Sequence, residues 1–227
     1  MNIAFVPVRC GSKSIPFKNI KLFCGKPLVY WSLKAVEKSN TIQKTIVATD
    51  CEDIKNIILE FGFSKVEVFD RNKENSSDSS TTESVLLEYL NTKNYNPKDY
   101  LFLVQATSPF TQFYDFDNAF LQLVDSKKDS LLTCARVKRF FWDDFGNPIN
   151  YDYVNRPRRQ DFFGQLVENG SFYINQIGNI MSNNNRLSGE ITIYEMPEFT
   201  YIEIDEHHDW IIAEAIMKKN ILNLSNK

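Results

Sequence analysis

Few cysteines, few histidines and no recognised glycine fingerprint mark this chain. Its four cysteines (Cys10, Cys24, Cys51 and Cys134) form no CxxC pair and no dense framework, so they read as buried or incidental thiols of a reducing compartment. The two histidines, His207 and His208, are adjacent; neighbours in a turn point apart, and no third partner stands nearby, so they read as a surface feature rather than ligands. GxxxxGK[ST] and GxGxxG are both absent, which argues against a Walker loop and a dinucleotide-binding oxidoreductase. No run reaches the apolar length of a membrane span, and Met1 leads into "NIAFVPV" without a positive leader region. A soluble cytoplasmic protein without a signal peptide is expected. Lys and Arg number 26 against 29 Asp and Glu, a net charge of −3, so no general basic surface for nucleic acid or anionic membrane is implied. A local basic pocket remains open.

What is present suffices for a sizeable core. Residues of hydrophobic type make up 43% of the 227, with 18 Phe and 10 Tyr, a length that suits one domain over 1–227. Short β-rich runs at 3–8, 44–50, 65–70, 99–107 and 130–137 predict strands, several apolar enough to be buried on both faces. Amphipathic stretches at 27–40, 51–62 and 80–90 predict helices, the last with a Ser80-x-x-Glu83 capping box. A strand at 200–205 and a helix at 209–220 close the pattern. This alternation predicts an α/β fold: a mostly parallel sheet with helices on both faces. Residues 138–168, rich in arginine and aromatics, break the rhythm and read as an inserted excursion, a flap or oligomer contact. Phe140, Phe141, Trp142, Phe162 and Phe163 are expected to be exposed there.

One segment stands out. "FVPVRCGSKSIPFKNI" (5–20) runs from a buried strand straight into a turn holding Arg9, Gly11, Ser12, Lys13, Ser14 and Lys18. In open parallel sheets, ligands bind beyond the C-terminal strand ends. Backbone amides close to Gly11, two hydroxyls and the cations suit a phosphate cradle, although the same residues also suit a merely solvated turn.

The turn resembles the opening motif of the acylneuraminate cytidylyltransferases, I-P-A-R-x-G-S-K-x-I-x-x-K-N. "QATSPF" (105–110), "RRQD" (158–161), "VENGSFYI" (167–174) and "EIDEHHDWIIAE" (203–214) continue the resemblance in order along nearly the whole chain. It implies a Rossmann-like nucleotidyltransferase domain whose excursion helps build a homodimer, and an Mg2+-dependent transfer of CMP from CTP to a nonulosonic acid. By resemblance, Arg9, Ser12, Lys13, Lys18 and Asn19 hold the nucleotide and its phosphates, with Arg9, Lys13 and Lys18 stabilising transferred charge. Arg71 would read the pyrimidine edge and Ser79, Ser80 and Thr81 would complete the base pocket. Gln105, Asn169, Ser171 and Tyr173 would line the sugar side.

Arg159, with Arg158 beside it, is assigned to the sugar carboxylate because a guanidinium fork makes two charge-assisted bonds. Asp205 matches the second aspartate of the family's D-I-D motif and Glu203 replaces the first; strand alternation would put both on one face toward Mg2+. Asp209 is assigned to capping the last helix. The aromatic "KRFFWDDFGNP" stands where sialic acid enzymes often carry a lysine and resembles enzymes of legionaminic-type sugars; Ala106 and Thr111 depart from the family's Q-P-T-S-P-L-R, so the resemblance implies the reaction class rather than one sugar. Two other readings stay open: a cytidylyltransferase for an eight-carbon 2-keto acid, and a non-catalytic CTP sensor, for which Glu203 and Cys10 speak.

Overall fold

The computed structural model describes residues 1–11, 14–72, 75 and 80–222. The apolar N-terminal run forms β1 (Asn2–Pro7), in which Ile3, Ala4, Phe5 and Val6 are fully buried. A small hairpin of β2 (Leu22–Phe23) and β3 (Lys26–Pro27) leads into α1 (Leu28–Lys38), β4 (Lys44–Thr49), α2 (Glu52–Glu60) and β5 (Val66–Asp70). There follow α3 (Thr82–Asn91), β6 (Tyr100–Val104), α4 (Phe113–Ser126) and β7 (Ser130–Val137). The chain then adds β8 (Gln165–Gln176), α5 (Ile177–Asn183), β9 (Ile191–Met196) and α6 (His207–Met217).

The main sheet has seven strands in the order β5-β4-β1-β6-β8-β7-β9. Only β8 runs against its neighbours; all other pairings along the sheet are parallel. Alternate residues of β1 serve opposite layers. Ala4 and Val6 pack with Val29, Leu33 and Val36 of α1 and Phe116 of α4. Ile3 and Phe5 pack with Val85, Leu86 and Tyr89 of α3 and with Ile177 of α5. Both faces are thus covered, which is why the central strands carry continuous apolar runs. A third cluster joins Ile15, Phe23, Leu28 and Trp31 to Ile204, Trp210 and Ala213. It ties the segment after the first turn to α6, nearly two hundred residues later.

Several expectations are corrected. Residues 200–205 do not form a strand: Glu198–Tyr201 form a 3-10 turn after Pro197, which lacks an N–H, and β9 already occupies the sheet edge. The cap of α3 is Thr81, whose Oγ1 accepts from the Ser84 amide at 3.1 Å, because the Glu83 carboxylate is turned away to Arg186. The excursion spans 138–164, since residues 165–168 already pair with β7. Phe162 is buried rather than exposed and stacks on Phe140 at 4.8 Å between centroids; Phe140 and Phe141 are half-buried, while Trp142, Phe145 and Phe163 face outward. Cys10 and Cys51 are not separate thiols: their sulfurs are paired, with Cα atoms 5.2 Å apart. α4, α5, β8 and β9 lie outside the segments that periodicity marked. In β8, Gly170 (φ +62) and a register shift opposite Leu132 and Cys134 break the alternation.

Candidate active site

Chain order places β4 and β5 on one side of β1 and β6 on the other, so the connections diverge between the C-terminal ends of β1 and β6. A crevice at such a reversal is where open α/β sheets bind ligands. Here it is a cavity of about 240 Å³ lined by Arg9 and Gly11 after β1, Gln105 and Thr107 after β6, and Lys18, Asn19, Arg71, Ser80, Thr81 and Thr82. Seven of the expected site residues, Arg9, Lys18, Asn19, Arg71, Ser80, Thr81 and Gln105, are therefore brought together. Ser12, Lys13 and Ser79 lie outside the described residues.

The polar groups in this cavity are held but incompletely used. The Asn19 Nδ2 donates to the Arg9 carbonyl at 3.2 Å, while its Oδ1 is buried without a hydrogen-bond partner among the described residues. The Arg71 guanidinium is tethered to the Asn75 carbonyl, and its buried Nε likewise lacks a partner. Burial pushes the Arg71 pKa down; Asp50 and Glu88 pull it back and Arg9 pushes it further down. Unused buried polar atoms cost about 1–3 kcal/mol each, so a ligand that pairs with them gains that much. The N-terminus of α3 enters through Thr81 and Thr82, adding amides and dipole that favour an anion.

A second cavity of about 190 Å³ shares Gln105 and Thr107 with the first and is lined further by Ser108, Asn169, Gly170, Tyr173, Glu203 and Asp205. Glu203 and Asp205 reach it although they lie in no strand: Ile204 between them is buried in the third cluster, which turns both neighbours outward. Lys18 crosses to this side, donating to the Ile204 carbonyl at 2.7 Å and to Asp205 at 3.2 Å. Partial burial, with Asp205 and Glu168 nearby, pushes the Glu203 carboxyl up against the opposing pull of Lys18. Asp209 accepts from the amides of Asp205 and Glu206, so it caps α6 as expected. His207 and His208 are exposed on its first turn.

Three sugar-side residues are not brought to this cavity. Ser171 is buried within β8, behind its hydrogen-bonded backbone. Arg158 is exposed and pairs with Asp161 at 2.8 Å. Arg159 faces Glu198 at 3.4 Å and lines a separate hollow with Lys138, Arg139, Phe140, Trp142, Tyr151 and Arg156. The excursion folds its aromatics against one another and so keeps both arginines on its own surface. Asn169 is positioned by Thr200 at 2.8 Å, and the Tyr173 hydroxyl is held by Glu168. Thr82, Thr107, Ser108 and Gly170 line the cleft without having been assigned roles; the available signals were the start of α3 for Thr82, the end of β6 for Thr107 and Ser108, and the irregularity of β8 for Gly170.

The fold and cleft define an α/β domain with a polar, cation-rich crevice at its strand reversal. The chain belongs to the cytidylyltransferase family, which it matches over residues 3–224. An N-acylneuraminate cytidylyltransferase of Oncorhynchus mykiss is 35% identical over 220 residues, 93% of this chain and 49% of that protein. A pseudaminic acid cytidylyltransferase of Campylobacter jejuni is 24% identical over 226 residues, covering 96% and 97% of the two chains. The chain spans about half the length of the N-acylneuraminate relatives it matches. Among solved structures, a CMP:2-keto-3-deoxy-manno-octonic acid synthetase complexed with CTP shares the fold at a TM-score of 0.70, with 15% identity over 97% of this chain and 99% of that one.

Proposed function

We propose that this chain transfers CMP from CTP to the anomeric hydroxyl of a nonulosonic acid, releasing pyrophosphate. The observation that carries the reading is the pair of joined cavities: one lined by Arg9, Asn19, Arg71 and the α3 N-terminus, the other by Asn169, Tyr173, Glu203 and Asp205, with Gln105 and Thr107 common to both. Two substrates held in such joined cavities meet in line, and alignment of reactants accounts for a large share of the barrier in phosphoryl transfer.

The anomeric oxygen attacks the α-phosphorus and loses its proton, and the bond from the α-phosphorus to the bridging oxygen breaks as pyrophosphate leaves. Arg9 and Lys18 stabilise the phosphate charge, and the sequence motif assigns Ser12 and Lys13 the same task. Arg71 reads the cytosine edge, supported by Ser79, Ser80 and Thr81. Glu203 and Asp205, two carboxylates lining one cavity, have the oxygen chemistry Mg2+ favours and would hold it there. Bound there, the ion neutralises phosphate charge.

Gln105, Asn169 and Tyr173 take the sugar, with Ser171 shaping the strand behind them. Arg158 and Arg159 stand away from the cleft of their own chain, so we assign their carboxylate contact to a homodimer in which the excursion of one chain closes the site of the other. Exposed Phe145 (91%), Val154 (72%) and Phe163 (75%) on the excursion support that contact. We place the reaction in the cytoplasm, where CTP is made; among the described residues no helix is long and apolar enough to cross a membrane.

The test is pyrophosphate release with CTP, Mg2+ and a panel of N-acetylneuraminic, legionaminic, pseudaminic and eight-carbon 2-keto acids, with ATP, GTP and UTP as controls. Turnover with CTP and one nine-carbon acid is expected. Turnover with the eight-carbon acid alone, or CTP binding with no turnover, overturns the assignment.

A further inference from the structure

Cys10 and Cys51 lie 41 residues apart, yet their sulfurs are paired and their Cα atoms are 5.2 Å apart, inside the usual range for bridged cysteines. The sheet brings them together. β1 and β4 are adjacent and parallel, so their ends emerge side by side: the Val8 amide donates to the Ala48 carbonyl at 2.8 Å, and the Cys10 amide to Asp50 at 3.2 Å. Cys51 is the N-cap residue of α2 and is buried, whereas Cys10 is half-buried and packs against the first core cluster. Arg9 and Gly11, on either side of Cys10, both line the nucleotide cavity. Beyond Cys10 the turn opens: a Cβ placed on Gly11 meets nothing within 4 Å, so the anchors on this side are the Cys10 side chain and the Asn19 bond to the Arg9 carbonyl.

We propose that Cys10 and Cys51 form a reversible disulfide that holds the turn at Arg9–Gly11 in its nucleotide-binding shape. The inference rests on the nucleotide reading of that cavity. Formation is a two-electron oxidation: both thiols lose their protons and one electron each to a peroxide, which is reduced to two waters, and the two sulfurs join. A small dithiol reverses the reaction by exchange, becoming a disulfide itself. In a reducing compartment disulfides are transient, so this one reports oxidant rather than serving as a permanent staple. The linked turn is already ordered before CTP arrives; the reduced turn must lose that freedom on binding, and affinity falls accordingly. Cys24 and Cys134 are free, and burial pushes both thiols up, Cys134 to about 11, so neither is a ready competitor for the oxidant.

The full chain would be treated with hydrogen peroxide or dithiothreitol, the reagent removed, and the thiols alkylated under denaturing conditions and counted by mass spectrometry. In parallel, CTP binding would be measured by calorimetry without sugar. Oxidised protein is expected to retain two alkylatable thiols, to yield a Cys10–Cys51 cross-linked peptide, and to bind CTP about three- to tenfold more tightly than reduced protein. Cys51→Ser and Cys51→Ala are expected to match the reduced affinity under both treatments. Four alkylatable thiols after peroxide overturn the pairing. Equal affinity in the two states, or weaker binding when oxidised, overturns its role in the turn. A disulfide that forms in a protein with no CTP affinity in either state overturns the nucleotide reading instead.

Discussion

The Lys18 ammonium reaches the Asp205 carboxylate at 3.2 Å across 187 residues of sequence, and the same nitrogen holds the neighbouring Ile204 carbonyl at 2.7 Å. Lys18 is only 12% exposed, so the first turn of the chain and the entry to α6 form opposite walls of one cleft. A cation in that position balances Asp205 until a phosphate brings more negative charge. Lys18→Met is therefore expected to lower the rate of pyrophosphate release by about 10²–10³-fold, the usual loss when one preorganised charge-stabilising group is removed. Lys18→Arg should recover part of it. A rate unchanged in Lys18→Met would remove the residue from the site.

Glu203 predicts a pH dependence. Its carboxyl is pushed up, first by partial burial and then by Asp205, so the folded protein holds the proton to higher pH than the unfolded chain does. A group with a raised folded pKa makes the fold less stable as pH rises through the interval between its unfolded and folded values. Without metal, Glu203→Gln should melt above the wild type at pH 8 and level with it at pH 4. The affinity for Mg2+ in the presence of CTP should fall as pH drops through the raised value in the wild type, and this part of the dependence should vanish in Glu203→Gln. Parallel pH profiles for the two proteins would sink the assignment.

Arg71 offers a test of base recognition. Its Nε is buried without a partner among the described residues, and its other arm is tethered to the Asn75 carbonyl. Arg71→Met should weaken CTP binding by about ten- to a hundredfold, the cost of losing a charged hydrogen bond. It should also narrow the preference for CTP over UTP. Competition binding with the two nucleotides checks both, and an unaltered preference would count against base reading.

Gly164 closes the excursion just before β8 with φ +82, and an added Cβ would stand 2.6 Å from the Val137 carbonyl oxygen. Gly164→Ala is expected to destabilise the chain by about 1–3 kcal/mol through backbone strain. In a chain of this length that is a drop of roughly 2–4 °C in Tm for each kcal/mol. Calorimetry that finds no change would show that the turn relaxes freely.

Five of the seven strands of the main sheet are legible from local pattern. The runs that become β1, β4, β5, β6 and β7 are apolar or alternating over five to eight residues, and their strand ends fall within a few positions of expectation. The stretch 200–205 reads as a strand by composition, but whether it pairs depends on β9 reaching the sheet edge first, a long-range competition that no window of six residues contains. The Ser80–Glu83 box failed for a similar reason: Arg186, over a hundred residues away, takes the Glu83 carboxylate.

By itself the sequence determined the strand–helix alternation, the cation-bearing turn after the first strand and the ordered motifs of a cytidylyltransferase, because these depend on residue type and short spacing. Tertiary structure alone decided which of those motifs share a cleft. It joined Lys18 to Asp205 and Cys10 to Cys51, set Glu203 beside Asp205 without a strand, and left Arg158 and Arg159 on the excursion. Each of those outcomes follows from the order of strands in the sheet and from which apolar cluster captures each connecting segment. Such contacts arise between residues far apart in the chain, where burial and closure outweigh any local preference.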